Sequence, residues 1–265
     1  MALQPLIKLL TGSGAGSRRQ MTAIIKRGGV VVNGKVVESF NEPVDPAADV
    51  VTIDGEPVRM KAAPNVYVMM NKPAGIVSTT RGERGERTVI DLLPERYKGT
   101  RVYPVGRLDK DSTGLIVLTN DGDLTFRLTH PRFEQEKEYL VRIDGVLKPE
   151  EQARLEKGIE LDDGRTHPAR VARSREAPFN YSVTIHEGRK RQVRRMFAAL
   201  GHTVLDLKRV RFGSLELGTL REGQVRELTR AEIESLSGRA SPSHRDLRPR
   251  GRTSQVIRPS AGKRR

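Results

Sequence analysis

Late in the chain, Val193, Met196, Phe197 and Leu200 recur at i, i+3, i+4 and i+7, which gathers their apolar side chains on one stripe of an α-helix. A helix over residues 189–200 is therefore predicted. At about 100° per residue, Arg194 falls at the edge of its buried stripe while Arg191 and Arg195 point away from it. Helical spacing also covers residues 123–129 and 148–157. The first of these stops where His130 precedes Pro131, because a proline pushes the residue before it out of the α region. Thr229, with Glu232 three residues on, forms a capping box for a last helix through Leu236. Short β-branched and apolar runs at residues 66–70, 115–119, 139–143 and 181–186 have the length of strands. Helices and strands alternate irregularly and turns join several strands. Residues 65–236 are thus expected to form an α+β domain with a mainly antiparallel mixed sheet flanked by helices.

The first 58 residues read as a separate, smaller unit of short helices and small strands. Ser17 is a good N-cap for a helix running to about Arg27, where Gly28 and Gly29 end it, with Ile24 and Ile25 on its buried side. Arg18 and Arg19 then lie in its exposed first turn. Val30 to Val32, Asn33-Gly34 and Lys35 to Val37 form a hairpin, since Asn-Gly supplies the positive φ angles of a type I′ turn. Residues 50–53 make another strand before the turn Asp54-Gly55. Residues 1–58 carry six bases and six acids, and every base precedes every acid, so one face of this unit is basic. Residues 59–64, RMKAAP, look like a linker.

Composition adds a partner to this picture. The chain has 265 residues, with 48 Lys and Arg against 33 Asp and Glu, for a formal charge of +15. That excess implies a polyanion, and nucleic acid suits a chain without a basic amphipathic anchor. From Gly238 to Arg265 nine bases face the single acid Asp246. The basic tail, residues 237–265, is rich in Ser, Pro and Gly and is expected to be disordered alone. It acts either as an arm on phosphate or as a solubilising appendage. With no Cys in the sequence, disulfides, thiolate zinc sites and cysteine nucleophiles are excluded, and a cytoplasmic location is expected. Apolar runs reach only about five residues where a membrane span needs about 20. The N-terminal MALQPLIKLL is not read as a signal peptide, because Lys8 interrupts its apolar run. A monomer is the default expectation.

No Gly-Lys-Ser/Thr phosphate loop occurs, GSGAG at residues 12–16 lacks dinucleotide-site spacing, and the histidines show no HExxH or other metal-ligand pattern. No cofactor and no metal are implied. Candidate chemistry gathers instead in three segments. The first is GRLDKDSTGL, residues 106–115, where Asp109 reads locally as a turn former or helix cap, or as an acid or base. The second is EGRKRQVRRMF, residues 187–197. Its Arg194, at the border of the stripe, can offer a guanidinium to a partly buried carboxylate, while Arg189, Lys190 and Arg191 suit phosphate contact. In the third, KEYLV at residues 137–141, Tyr139 either stacks on a base or serves as a core residue with a bonded hydroxyl.

Two resemblances organise these observations. SRR opening a helix and VVNGKVV after it, residues 17–19 and 31–37, resemble the S4 RNA-binding domain over nearly all of the first 58 residues. NKPAG (71–75), GRLDKDSTGLIVLTNDGDL (106–124), KEYLV (137–141) and EGRKRQVRRM (187–196) resemble, in order, the motifs of RNA pseudouridine synthases. An S4 domain precedes them, as in the branch that modifies single uridines in ribosomal RNA. The resemblance implies that Asp109 is the essential aspartate, that Arg194 pairs with it, and that Tyr139 stacks on the target uracil. Arg18, Arg19, Lys26, Arg27, Arg107, Arg189, Lys190, Arg191, Lys208 and Arg209 are the candidate RNA contacts. The basic tail is similar to that of large-subunit members, so large-subunit ribosomal RNA is the implied partner. A small-subunit substrate and a noncatalytic assembly factor are the alternatives. A hydrolytic glycosidase would need a second carboxylate, and Asp111 is the nearby one. Deleting residues 238–265 is expected to weaken RNA binding and flatten its salt dependence, as measured by filter binding across a salt series. An unchanged slope would leave the tail a solubilising role only.

Overall fold

The computed structural model describes residues 3–238, apart from residues 62, 84 and 98. The tail from residue 239 onward, with its expected disorder and phosphate-binding role, lies outside the described residues.

The N-terminal part runs β1 (Gln4–Pro5), α1 (Leu6–Gly12), α2 (Arg18–Lys26), β2 (Val30–Val32), β3 (Lys35–Val36), β4 (Pro43–Val44), β5 (Val51–Ile53) and β6 (Glu56–Pro57). Ser17 caps α2 by accepting from the Gln20 N–H at 3.0 Å, and the Gln20 side chain accepts from the Ser17 N–H at 3.0 Å, so orphan donors at the helix start are satisfied reciprocally. The hairpin turn has Asn33 and Gly34 at φ 49° and 80°, the left-handed pair that a type I′ turn requires. Leu6, Ile7 and Leu10 of α1 and Met21 and Ile25 of α2 close over Val30, Val44 and Val51 in one apolar core.

The rest of the chain builds β7 (Tyr67–Lys72), β8 (Tyr103–Pro104), β9 (Thr113–Thr119), α3 (Gly122–Thr129), β10 (Lys137–Ile143), α4 (Pro149–Glu156), β11 (Arg170–Arg173), β12 (Tyr181–Ile185), α5 (Gln192–Ala198), β13 (Val204–Phe212), β14 (Leu215–Glu216), β15 (Val225–Glu227) and α6 (Arg230–Leu236). The main sheet runs β11-β12-β10-β13-β9-β7-β15, with β8 beside β9 and β14 beside β13. Among its described pairings only β9 with β13 is parallel, which fits the expected mainly antiparallel mixed sheet. Both faces are covered. Val68, Met70, Ile116 and Leu118 pack on one side with Val193, Met196 and Phe197 of α5, while Met69, Leu115 and Val117 pack on the other with Leu124 and Leu128 of α3. Successive strand side chains point to opposite faces, so a strand buried on both reads as an unbroken apolar run.

Two sequence expectations need correction. The helix expected over 189–200 is only Gln192–Ala198, because Arg191 adopts the left-handed conformation, φ 50°, and residues 189–191 form the turn before it. The longest strand of the sheet, β13, is absent from the sequence reading. Its VLDLKRVRF interleaves charges with apolar residues, and one of those charges, Arg209, is buried.

The turn that carries Asp109 is fixed from three directions. The Lys72 ammonium, at the end of β7 and fully buried, donates to the carbonyls of Pro73, Ile76 and Lys110 at 2.8, 2.8 and 3.3 Å. Burial pushes this ammonium down to about 8, against the opposing pull of Asp111, Asp109 and Glu222. The Gly75 N–H adds a second bond to the Lys110 carbonyl at 2.8 Å. Ser78 Oγ accepts from the Leu108 N–H at 3.1 Å and donates to the Leu108 carbonyl at 2.9 Å. Behind the turn, Gly114 at φ 105° lets β9 approach β13 so closely that a Cβ there would lie 2.2 Å from the Arg209 carbonyl oxygen. Gly114→Ala is expected to lower stability by roughly 2 kcal/mol or more through this overlap and the strained φ. Lys72→Met, which strips three inward-facing carbonyls of a donor, is expected to cost about 1–3 kcal/mol. Urea unfolding of both variants checks these values, and an unshifted midpoint in either would disprove the corresponding contact.

Candidate active site

One cavity of about 390 Å³ collects the central candidates, a volume suited to a single nucleoside-sized group. Asp109 enters it from the turn, Tyr139 and Lys137 from β10, Leu207, Arg209 and Phe212 from β13, and Val193 with Gln192 from the start of α5. Arg107, Arg189 and Arg191 also line it. Asp109 is half-buried, and among the described residues its carboxylate has no hydrogen bond or ion pair. The turn orients it through contacts made by the residues on either side of it.

The arrangement of arginines differs from that implied by the resemblance. Arg194 does not pair with Asp109. Its Nη1 donates to the Val204 carbonyl at 2.7 Å, and its Nη2 lies 3.3 Å from the Asp111 carbonyl and 3.2 Å from the Asp111 carboxylate. Arg191 approaches the same carboxylate with both of its terminal nitrogens at 3.2 Å. The turn sends the two carboxylates apart, so Asp111 faces α5 while Asp109 faces the cavity. Burial pushes the Asp111 carboxyl up, but the guanidinium groups of Arg191 and Arg194 outweigh it and hold the group below the usual carboxylate range. Arg194 therefore fastens the Asp109 turn to α5 and β13 instead of touching Asp109.

Arg189 also departs from expectation. Its Nε donates to Glu187 at 3.0 Å, Nη1 to the Gly164 carbonyl at 2.6 Å and to Asp163 at 3.2 Å, and Nη2 to the Arg165 carbonyl at 2.5 Å. With its fork committed to the 163–165 loop it is a clamp, not a free phosphate ligand. Arg195 pairs with Asp162 and Asp163, and with Arg189 it holds the Asp163 carboxyl down at about 2.

The cavity floor on β10 and β13 is built from paired strands. Tyr139 is only 8% exposed and is the cross-strand partner of Arg209, which is 2% exposed. Such burial removes Arg209 from any outer RNA-binding surface and directs it to the cavity. Its Nε donates to the Leu115 carbonyl at 2.8 Å, and its guanidinium lies 4.8 Å from the Phe212 ring centre. Lys137 has its Nζ 2.9 Å from the Gln135 carbonyl. Sequence reasoning assigned no role to Lys137 or Lys72. The available signal for Lys137 was its place two residues before Tyr139, which puts both on one strand face. For Lys72 nothing in NKPAG signals burial.

The remaining candidates lie apart from the cavity. Arg18, Arg19, Lys26 and Arg27 are exposed on and just after α2, with Arg27 paired to Asp54 at 2.5 Å. Lys190 is exposed before α5, and Lys208 is half-buried on β13. Among the described residues, no helix is long and apolar enough to cross a membrane.

Comparison with known proteins agrees with this architecture. Residues 66–199 match the family described as RNA pseudouridylate synthase, and residues 4–51 match the S4 domain. The chain is 38% identical over 238 residues to ribosomal large subunit pseudouridine synthase B of Bacillus subtilis, covering 88% of this chain and 96% of that protein. It is also 38% identical over 274 residues to the protein of the same name from Vibrio cholerae, covering 96% of this chain and 85% of that one. A crystal structure of a pseudouridylate synthase superposes with a TM-score of 0.62 at 33% identity, over 89% of this chain and all of that one. A two-faced mixed sheet, the GRLD turn opening on an internal cavity and an S4 domain ahead of it thus go together with a match along most of the chain, and the protein belongs to the RNA pseudouridylate synthase family of isomerases.

Proposed function

We propose that the protein converts one uridine of large-subunit ribosomal RNA to pseudouridine in the cytoplasm, with Asp109 as the essential carboxylate. The observation that carries this reading is the shared cavity of Asp109 and Tyr139, residues brought to one space from a turn and a strand. Support for the substrate comes from relatives named for the large ribosomal subunit, matched over nearly their whole length. In this division, residues 1–58 bind RNA, residues 65–236 carry the reaction and residues 59–64 link them.

The reaction detaches uracil from ribose C1′, turns the base within the cavity and rejoins it through C5. It is an isomerisation, with no net oxidation and no phosphoryl transfer, and it needs one carboxylate to act on the sugar or the base. C1′ and C5 are out of reach in a stacked strand, so the nucleotide flips into the cavity and Tyr139 packs against its uracil. Arg194 is a positioning residue. By bonding the backbone and carboxylate of Asp111, it fixes the turn that aims Asp109, and such positioning within fractions of an ångström governs rate. Exposed Arg18, Arg19, Lys26 and Lys190 hold RNA backbone away from the reacting base, and Arg107 does so at the cavity.

Carbodiimide-dependent primer extension across both ribosomal RNAs tests this. A stop at one large-subunit uridine is expected with the wild-type protein and not with Asp109→Asn, whose RNA affinity should stay within about twofold because the carboxylate acts in the reaction, not in backbone binding. A stop in small-subunit RNA would reassign the substrate. Full activity of the variant would remove Asp109 from the chemistry, and tight binding without any stop would favour a noncatalytic assembly factor.

A further inference from the structure

The floor of the cavity holds two cations that no carboxylate neutralises through a direct ion pair among the described residues. Arg209 is 2% exposed, spends Nε on a carbonyl and leaves Nη2 buried without a hydrogen-bond partner. Among the described residues Lys137 bonds only the Gln135 carbonyl. Both lie against Phe212, with the guanidinium 4.8 Å and the ammonium 5.7 Å from its ring centre. Burial and the charge of Arg209 push the Lys137 ammonium down to about 8, with Glu187 pulling the other way. Glu187 is already engaged, accepting from His167 N–H and Gln192 through one oxygen and from Arg189 through the other. Holding two cations together away from water costs stability unless an anion joins them. Strain of this kind persists at sites where the substrate supplies the missing partner.

We propose that Lys137 and Arg209 form an anion site whose ligand is the uracil anion released when the glycosidic bond breaks. The proposal rests on the reaction assigned above. Tyr139 selects the source of the charge, because it is two residues from Lys137 on β10 and directly across from Arg209 on β13. A uracil packed on Tyr139 therefore has both cations at its edge, whereas backbone phosphate stays outside with the exposed bases. As C1′–N1 breaks, its electron pair leaves with N1 and spreads onto O2 and O4. Ribose C1′ is left electron-deficient, to be met by the Asp109 carboxylate or relieved by loss of the C2′ proton. After the base turns, an electron pair of its ring forms the C5–C1′ bond, any bond or proton change at the sugar is reversed, the C5 proton leaves, and N1 takes up a proton. Charge on the base is largest between the two bond changes. Donors aimed at it there raise the rate without tightening substrate binding.

The test uses full-length protein and RNA carrying uridine or 5-fluorouridine at the modified position, with single-turnover cleavage of C1′–N1 and RNA affinity measured separately. Lys137→Met is expected to slow cleavage on the order of 10²-fold, with affinity within about twofold of wild type. The deficit should shrink on 5-fluorouridine, whose fluorine stabilises the departing anion itself, and Lys137→Arg should recover most of the rate. Arg209→Lys, which keeps a charge in the buried position, should show the same pattern more weakly. Lys137 is half-buried, so Lys137→Met keeps the test decisive if Arg209 variants do not fold. A loss confined to affinity would make backbone phosphate the ligand and overturn the proposal. So would an equal deficit on both substrates, or no deficit beside an active wild type. A wild type that cleaves neither RNA would instead refute the assigned reaction, and this inference with it.

Discussion

The placement of Asp109 depends on one buried ammonium group. Lys72 has three donors and, in this fold, three carbonyl acceptors, one of them on the residue after Asp109. An ammonium with every donor used is tolerated inside a protein, and it ties β7 to a turn that has no regular structure of its own. Ser78 fixes the backbone one residue before Asp109, and Arg194 and Arg191 fix Asp111 two residues after it. The carboxylate between these anchors has no direct side-chain partner among the described residues. Its neighbours hold it in place and leave its side chain facing the cavity.

The same economy governs the basic residues. A charge of +15 marks a protein for a polyanion, yet several arginines are committed to the fold. Arg189 and Arg195 staple the 162–165 loop to the start of α5, Arg211 pairs with Glu136 and Glu138, and Arg226 pairs with Glu232. Arg27 is tied to Asp54. Without a direct ion pair among the described residues are a smaller set of exposed side chains, such as Arg18, Arg19 and Lys26, and the cations inside the cavity. The two groups answer to different physics. Exposed bases act through screened attraction to phosphate, and buried ones act at short range in a low dielectric, where an unpaired charge is costly until an anion arrives.

Much of the fold was legible because its signals are local. The N-cap at Ser17, the capping box at Thr229, the Asn33-Gly34 turn, the stop at His130 and the apolar runs of β7, β9, β10 and β12 are each specified by residues within a few positions of one another. Where local rules compete the reading failed. The apolar stripe of α5 begins only at Val193, and the charged residues before it enter the helix through a left-handed Arg191, while β13 is hidden because its buried arginine mimics a surface residue.

Motif order and residue type survive in one dimension, so the sequence alone carries the family, the mixed α+β architecture and two of the residues that meet in the cavity, Asp109 and Tyr139. Only the tertiary structure decided which charges meet. Arg194 bonds a residue 83 positions away, and whether that residue is Asp109 or Asp111 is set by how a turn splays two side chains separated by a single lysine. The burial of Arg209 likewise follows from the close approach of β9 at Gly114. Such outcomes depend on packing between distant segments, and no periodicity or cap within either segment encodes them.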